Sequence, residues 1–235
     1  MLFTKPLLGK HRTFKSIGDF TYGLPRVIHP EDGVRINIGK YCSIAEKVTF
    51  ISGGKHEHGW ITTYPFPWVA NELPGWPEVD ELPKYKRYKG DINVGNDVWI
   101  GYGATILSGV SIGDGAVIGA HTVVSQDIPA YSIVVGNPGV VIKKRFSDRQ
   151  IAQLLEIRWW DWSAKEISKA LPYLCSDSID RFVDFCNSAD SIETSQEKTE
   201  QCESTTLGLS FTKARAKLLD LHGVLTYFLN WLLGT

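Results

Sequence analysis

Cysteine is sparse and scattered in this chain: Cys42, Cys175, Cys186 and Cys202, with no C-x-x-C pair among them. That spacing argues against a disulfide framework or a zinc site, and the default setting is a reducing cytoplasm. Charge of one sign is lacking as well. A net charge of −1 and a pI near 6.6 argue against nucleic acid as the main partner, since phosphate-tracking proteins carry a marked basic excess. No segment is long and apolar enough to span a bilayer. The stretch from Met1 to Leu8, interrupted by Lys5 and Pro6, is too short for the apolar region of a signal peptide. What is present is 235 residues of 43% hydrophobic content, enough for a substantial core in at most about two domains.

The core announces itself as a period. An aliphatic residue returns every six positions at Val94, Ile100, Ile106, Ile112, Ile118 and Val124, with a small or short-branched residue two places before each of the last five: Val98, Ala104, Val110, Ala116, Thr122. The same register opens earlier, at Ile38, Ile44 and Phe50, with Cys42 and Val48 as the small partners. Neither a helix nor a hairpin has this period. It is the mark of a solenoid with a triangular cross-section, each unit giving one short strand and one corner, so that every sixth side chain points inward onto its equivalent one coil away. Gly39, Gly95, Gly101, Gly113 and Gly119, with Asn96 and Asp114, are expected at corners of positive φ.

Around this coil the chain divides into unlike parts. Residues 1 to 33, with the cluster Thr21, Tyr22, Gly23, Leu24, Pro25, form a lead-in. Between residues 52 and 91 the period is lost to glycine, proline, aromatics and charge. A loop of that length in a repeat domain is more often functional than not, and because the register resumes at Val94 it projects as an arm from the coil wall. The coil domain thus spans 1–145, and a helical cap spans 146–187. Within the cap, Ser147 or Asp148 caps a helix carrying Ile151, Leu154, Leu155 and Ile157 on one face, expected to pack across the open end of the coil. A Ser/Thr/Glu/Gln-rich linker, 188–206, leads to an amphipathic helix within 207–235 that bears Leu218, Leu221, Leu225, Phe228, Leu229 and Leu232.

The motifs I-G-K-Y-C-S-I-A at 38–45, H-x-x-x-W-x-T-T-Y-P-F at 56–66, G-N-D-V-W-I-G at 95–101, the run 109–124, G-N-P at 136–138, I-K-K-R-F at 142–146 and W-W-D-W at 159–162 resemble one family. It is that of the left-handed parallel β-helix acyltransferases, in particular the xenobiotic (streptogramin and chloramphenicol) acetyltransferase branch and its relatives that O-acetylate surface sugars. The resemblance covers roughly residues 17 to 175. It implies a mainly β fold, a left-handed parallel β-helix with a projecting loop and a C-terminal α-helical cap. The left hand comes from the resemblance, because the sequence alone would favour right-handed crossovers.

The resemblance also implies the chemistry: direct transfer of acetyl from acetyl-CoA to a hydroxyl or amine, in a homotrimer with its sites at subunit boundaries. An alcohol needs a base to attack a thioester, and imidazole titrates near neutral pH. By motif position that base is His56, whereas His58 is a candidate by chemistry alone. Lys55 stands where the family often has Asn. The implied cofactor contacts are Tyr102, Ala120, Ser125 and Gln126, with Lys143 and Lys144 near the nucleotide, although Gln126 occupies a place that is frequently Lys. The bland alternative is that Tyr102 and Ser125 are ordinary corner residues and the basic run a solvated exit. Tyr22, Trp60, Tyr64 and Trp99 form an acceptor-facing wall or simply pack, and for most of the arm aromatics packing is the commoner role. No metal is expected. A metal enzyme of the γ-carbonic anhydrase kind, using His56, His58 and His121, and a non-catalytic scaffold are the alternatives. The T-Y-G-x-P cluster at 21–25 leans toward a sugar acceptor.

Overall fold

In the computed structural model, residues 4–8, 12–30, 33–69, 72 and 82–188 are described, so the segment 207–235 and all of the linker after 188 lie outside the described residues. The coil is built from short strands. In chain order these are β1 (Phe14–Ile17), β2 (Arg26–Ile28), β3 (Ile36–Ile38), β4 (Ser43–Ile44), β5 (Thr49–Ile51), β6 (Ile92–Val94), β7 (Trp99–Ile100), β8 (Thr105–Leu107), β9 (Ser111–Ile112), β10 (Val117–Ile118), β11 (Val123–Val124), β12 (Ser132–Val135) and β13 (Val140–Lys144). They assort by threes. The first sheet is β1-β3-β6-β9, the second β13-β12-β10-β7-β4, and the third β11-β8-β5-β2. All pairings are parallel except β12 with β13, whose antiparallel hairpin ends the coil. The architecture is therefore a parallel β-helix with three flat sides.

The six-residue period becomes a set of vertical stacks. Ile38, Val94 and Ile112 are in register on the first sheet, Ile44, Ile100, Ile118 and Val134 on the second, and Phe50, Ile106 and Val124 on the third. All are buried, as are the small partners Cys42, Val48, Val98, Ala104, Val110, Ala116 and Thr122. Hydrophobic burial along this axis is what drives the coil together. Polar side chains stitch the coils from outside: Asn96 donates through its backbone and side-chain nitrogens to Asp114 Oδ1 at 2.6 and 2.8 Å, and its own Oδ1 accepts from Lys40 N at 2.9 Å.

The corners differ from expectation in one respect. Gly39, Gly95, Gly101, Gly113 and Gly119 do not adopt positive φ, nor do Asn96 and Asp114. Positive φ falls instead three residues after the inward aliphatic, at Phe20, Tyr41, Lys47, Asp97, Gly103, Gly109, Gly115, His121 and Tyr131. The glycines directly after the aliphatics answer to stacking. A Cβ on Gly39 would lie 2.4 Å from Gly95 O, and one on Gly95 2.7 Å from Asp114 N. Close approach of successive coils, not turn conformation, requires glycine there.

The lead-in covers the first coil through short contacts. Thr21 Oγ1 donates to Gly39 O at 2.7 Å and accepts from Cys42 N at 3.0 Å, while a Cβ on Gly23 would meet Ile44 O at 2.1 Å. Two residues of the T-Y-G-x-P cluster are thus explained by packing.

After β13 the chain forms α1 (Asp148–Ile157), capped by Ser147 with Gln150 in a reciprocal capping box, then a single 3-10 turn (Trp159–Asp161) and α2 (Ala164–Leu174), capped by Ser163 with Glu166. Arg158, in the left-handed region, breaks the run into two helices. The cap was expected across the coil's open end, yet its contacts run along the corner between the first and second sheets. Trp159 packs on Tyr41 with centroids 5.0 Å apart, and Lys40 pairs with Asp161 at 2.9 Å. Arg145 donates to Gly115 O at 2.7 Å, and Tyr131 is buried beneath Ile151, Leu154 and Phe182. The reason is the positive-φ position, which turns Tyr41, Asp97 and Tyr131 outward in one column that the helices cover. Among the described residues no helix is long and apolar enough to cross a membrane.

Candidate active site

The arm leaves the coil after β5 and returns at β6, so its two roots lie on the corner between the third and first sheets. Both roots are fastened there. Ser52 Oγ donates to His29 O at 2.9 Å, Gly54 packs so closely on the His29 ring that a Cβ would come within 2.8 Å, and Lys89 N donates to Ser108 Oγ at 3.1 Å. The two roots are joined by Lys55 N donating to Arg87 O at 2.8 Å. His56 follows directly.

Its ring is exposed, and Nδ1 lies 2.7 Å from the carbonyl oxygen of Thr63. A carbonyl can only accept, so Nδ1 is the donor in this contact, and whenever the ring is neutral the lone pair is left on Nε2. Two local turns bring Thr63 to this place. Gly59 N donates to Glu57 Oε1 at 3.3 Å, and Tyr64 N donates to Thr62 Oγ1 at 3.1 Å. The Gly59 N–H, and then Lys55 Nζ at 3.3 Å, hold the Glu57 carboxyl below its ordinary range, so it stays ionised next to the imidazole in sequence. Thr63 was not anticipated as a partner for His56; a backbone acceptor leaves no mark in the side chains.

The other arm residues form a small aromatic nucleus. Trp60 meets Tyr85 edge-on at 5.1 Å, Tyr64 leans on Phe66 at 4.7 Å, and Arg87 and Lys84 lie over Trp68. Ile61 stands 110% exposed.

The remaining sequence-derived positions divide among separate parts of the prism. Ser125 and Gln126 follow β11 on the same third–first corner as the arm. Tyr102 and Ala120 sit on the second–third corner, where Tyr102 packs edge-on to His121 at 5.4 Å and under Lys47 Nζ at 5.1 Å. These two corners flank the third sheet. Lys143 and Lys144 lie exposed on β13, with Lys144 paired to Asp148. Trp99, 57% exposed, projects from the outer face of the second sheet, and Tyr22 extends that sheet through its bridge to Ser43, the residue in register with Trp99. In a triangular section the second sheet is the side opposite the corner that bears the arm. Tyr22 and Trp99 therefore lie on the far side of their own chain from His56.

Two other chemistries can be weighed on the same geometry. Cys42, whose thiol is pushed up to about 11 by burial, donates to Gly95 O at 3.1 Å and is a neutral core group at physiological pH. None of the described cysteines belongs to the arm. Among the described residues no three His, Cys, Asp or Glu side chains are grouped to hold a metal ion, and His121 is on a different corner from the arm that bears His56 and His58.

A three-sided parallel β-helix interrupted by one histidine-bearing arm defines a class, and comparison with known proteins identifies it. Residues 91–126 match the family model described as bacterial transferase hexapeptide (six repeats). The chain is 42% identical over 158 residues to a chloramphenicol acetyltransferase of Morganella morganii, covering 66% of this chain and 73% of that protein. It is 47% identical over 147 residues to a probable macrolide acetyltransferase of Lysinibacillus sphaericus, covering 62% and 80% respectively. Among solved structures, a galactoside acetyltransferase in complex with coenzyme A matches at 23% identity and a TM-score of 0.40, covering 57% of this chain and 71% of that one. The chain belongs to the hexapeptide-repeat acetyltransferases, and it is an acyltransferase.

Proposed function

We propose that this protein transfers acetyl from acetyl-CoA to a hydroxyl of a small acceptor, with His56 as general base, and that it does so in the cytoplasm as a homotrimer of left-handed coils whose active sites lie between subunits. The observation that carries the reading is the His56–Thr63 contact, which fixes the tautomer a base requires. Nε2 takes the acceptor's proton as its oxygen attacks the thioester carbon. The Thr63 carbonyl then faces an imidazolium and stabilises the charge that develops. When the tetrahedral intermediate collapses, Nε2 returns the proton to the departing thiolate, leaving the ester, free coenzyme A and neutral His56. A direct reaction of this kind uses no cysteine nucleophile.

The division of the site residues supports the trimer. His56, Ser125 and Gln126 are on one corner of a chain while Tyr22 and Trp99 are on the opposite side, so a shared site needs a second copy to bring them together. The second sheet's outer side also carries Trp99, Val135 and Val140, and its edge strand β13 adds Val141 and Ile142, all exposed, and exposed apolar residues gathered in this way are the usual mark of an interface. Between the second–third and third–first corners, Tyr102, Ala120, Ser125 and Gln126 fit the extended pantetheine arm, and Lys143 suits a phosphate.

Relatives named for chloramphenicol, a macrolide and virginiamycin A favour an antibiotic hydroxyl as acceptor. A sugar hydroxyl is chemically equivalent at the base, but the lead-in cluster no longer favours it, given the packing of Thr21 and Gly23. The test is thiol release from acetyl-CoA in the presence of chloramphenicol, a streptogramin, a macrolide and a panel of sugars. Release with at least one acceptor is expected. Absence of both turnover and acetyl-CoA binding would overturn the reading.

A further inference from the structure

A cavity of about 380 Å³ lies where the helical cap meets the first–second corner of the coil, on a different edge of the prism from the arm. Its size is within the range of small-molecule sites. Tyr41, Trp159 and Tyr173 supply aromatic walls, and Leu154 and Ile167 supply aliphatic ones. Two charged groups break this apolar lining, Asp97 and Arg145, both about one-third exposed and 3.6 Å apart. That separation is beyond hydrogen-bond distance. Arg145 is already engaged with Gly115 O and lies over the rings of Tyr131 and Phe146. The Asp97 carboxylate is ion-paired with Arg145, which only partly offsets the burial that raises its proton affinity.

We propose that this cavity is a second small-molecule site, separate from the acetyl-transfer site, which takes a neutral aromatic compound bearing one N–H or O–H donor. The aromatic body lies among the ring walls and its donor points at Asp97. Net charge on the ligand is selected against in both signs. A cation would meet the Arg145 guanidinium, and an anion the Asp97 carboxylate. The site ties the cap to the coil, because Asp97 belongs to a coil corner while Trp159 and Tyr173 belong to the cap.

The test uses 1-N-phenylnaphthylamine, a neutral aromatic amine whose fluorescence rises on leaving water, titrated into the full chain. Saturable binding of one probe per chain, unchanged by saturating acetyl-CoA or chloramphenicol, is expected. Leu171→Trp places a large ring in the cavity from an exposed position and should weaken binding at least ten-fold. Should that variant fail to fold, alkylation of Cys175 gives a second reading in a Cys202→Ser background. Cys175 lines the cavity and is exposed, whereas Cys42 and Cys186 are buried, so bound probe should slow its reaction with iodoacetamide several-fold. No saturable binding, displacement by acetyl-CoA, or an unprotected Cys175 at saturating probe would each overturn the proposal. None of these results depends on acetyl-transfer activity.

Discussion

The Nδ1 atom of His56 and the carbonyl oxygen of Thr63 are 2.7 Å apart, across a loop of the arm that begins and ends with this contact. In the neutral ring the contact leaves Nε2 as the nitrogen without a proton, the one the proposed base would use, and that can be observed directly. In protein labelled with ¹⁵N-histidine at a pH where the ring is neutral, His56 should show the Nδ1–H tautomer, with Nε2 unprotonated. In small imidazoles the Nε2–H form prevails, so finding that form at His56 would remove the Thr63 carbonyl from the mechanism.

Gly39, at a coil corner of ordinary φ, should be intolerant of a methyl group because successive coils touch there, unlike a glycine in the arm. Gly39→Ala puts its Cβ 2.4 Å from Gly95 O and 2.5 Å from Gly95 C, backbone atoms that cannot rotate away. A loss of about 1–3 kcal/mol is expected from such overpacking. Gly59→Ala, whose nearest neighbour is Glu57 Oε1 at 3.6 Å, should stay within about 0.5 kcal/mol of the parent. Denaturant midpoints of the two variants compare them directly.

Asp97 should make stability fall as pH rises. Burial holds its folded-state proton affinity above that of the unfolded chain, whose ordinary value is 3.8. Between those two values the folded state binds more protons than the unfolded one, so the free energy of unfolding declines with rising pH. In Asp97→Asn this contribution vanishes. The stability of the parent relative to the variant should be greatest in acid, fall as pH rises through the window just above 3.8, and level off toward neutrality. A difference that is flat across that range would show that Asp97 titrates as it does in the unfolded chain.

The subunit contact proposed for the outer side of the second sheet predicts a change of assembly. Val140 is 58% exposed there, and Val140→Glu places a charge beside Val135 without touching the coil core. Sedimentation should show trimers in the parent and monomers in the variant, with acetyl transfer lost alongside. A variant that remains trimeric and active would move the interface elsewhere.

The inner stacks were legible in the sequence because burial imposes a period on it: Ile100 and Ile118 cannot both face inward at other spacings. The positive-φ positions were not, since Phe20, Tyr41, Lys47, Asp97 and His121 share no side-chain chemistry and only the backbone marks them. For the same reason Thr63 escaped notice, because its backbone oxygen makes the contact with His56 and its side chain does not. His56 could be found from its motif, whereas the separation of Tyr22 and Trp99 from it required knowing which side of the prism each occupies. The helical cap was readable from Ser147 or Asp148 as its cap, whereas the second cap at Ser163 was not, and the course of the helices along one corner depends on the outward column of Tyr41, Asp97 and Tyr131.

Replacement of His56 by alanine tests the account most directly, with kcat measured on a responsive acceptor and acetyl-CoA affinity measured by calorimetry on the same preparation. Loss of the base should lower kcat by about 10²–10⁴-fold and leave the acetyl-CoA dissociation constant within two-fold of the parent, roughly the range general-base removal produces. Turnover within about ten-fold of the parent would contradict the role assigned to this imidazole, and with it the function proposed for the arm.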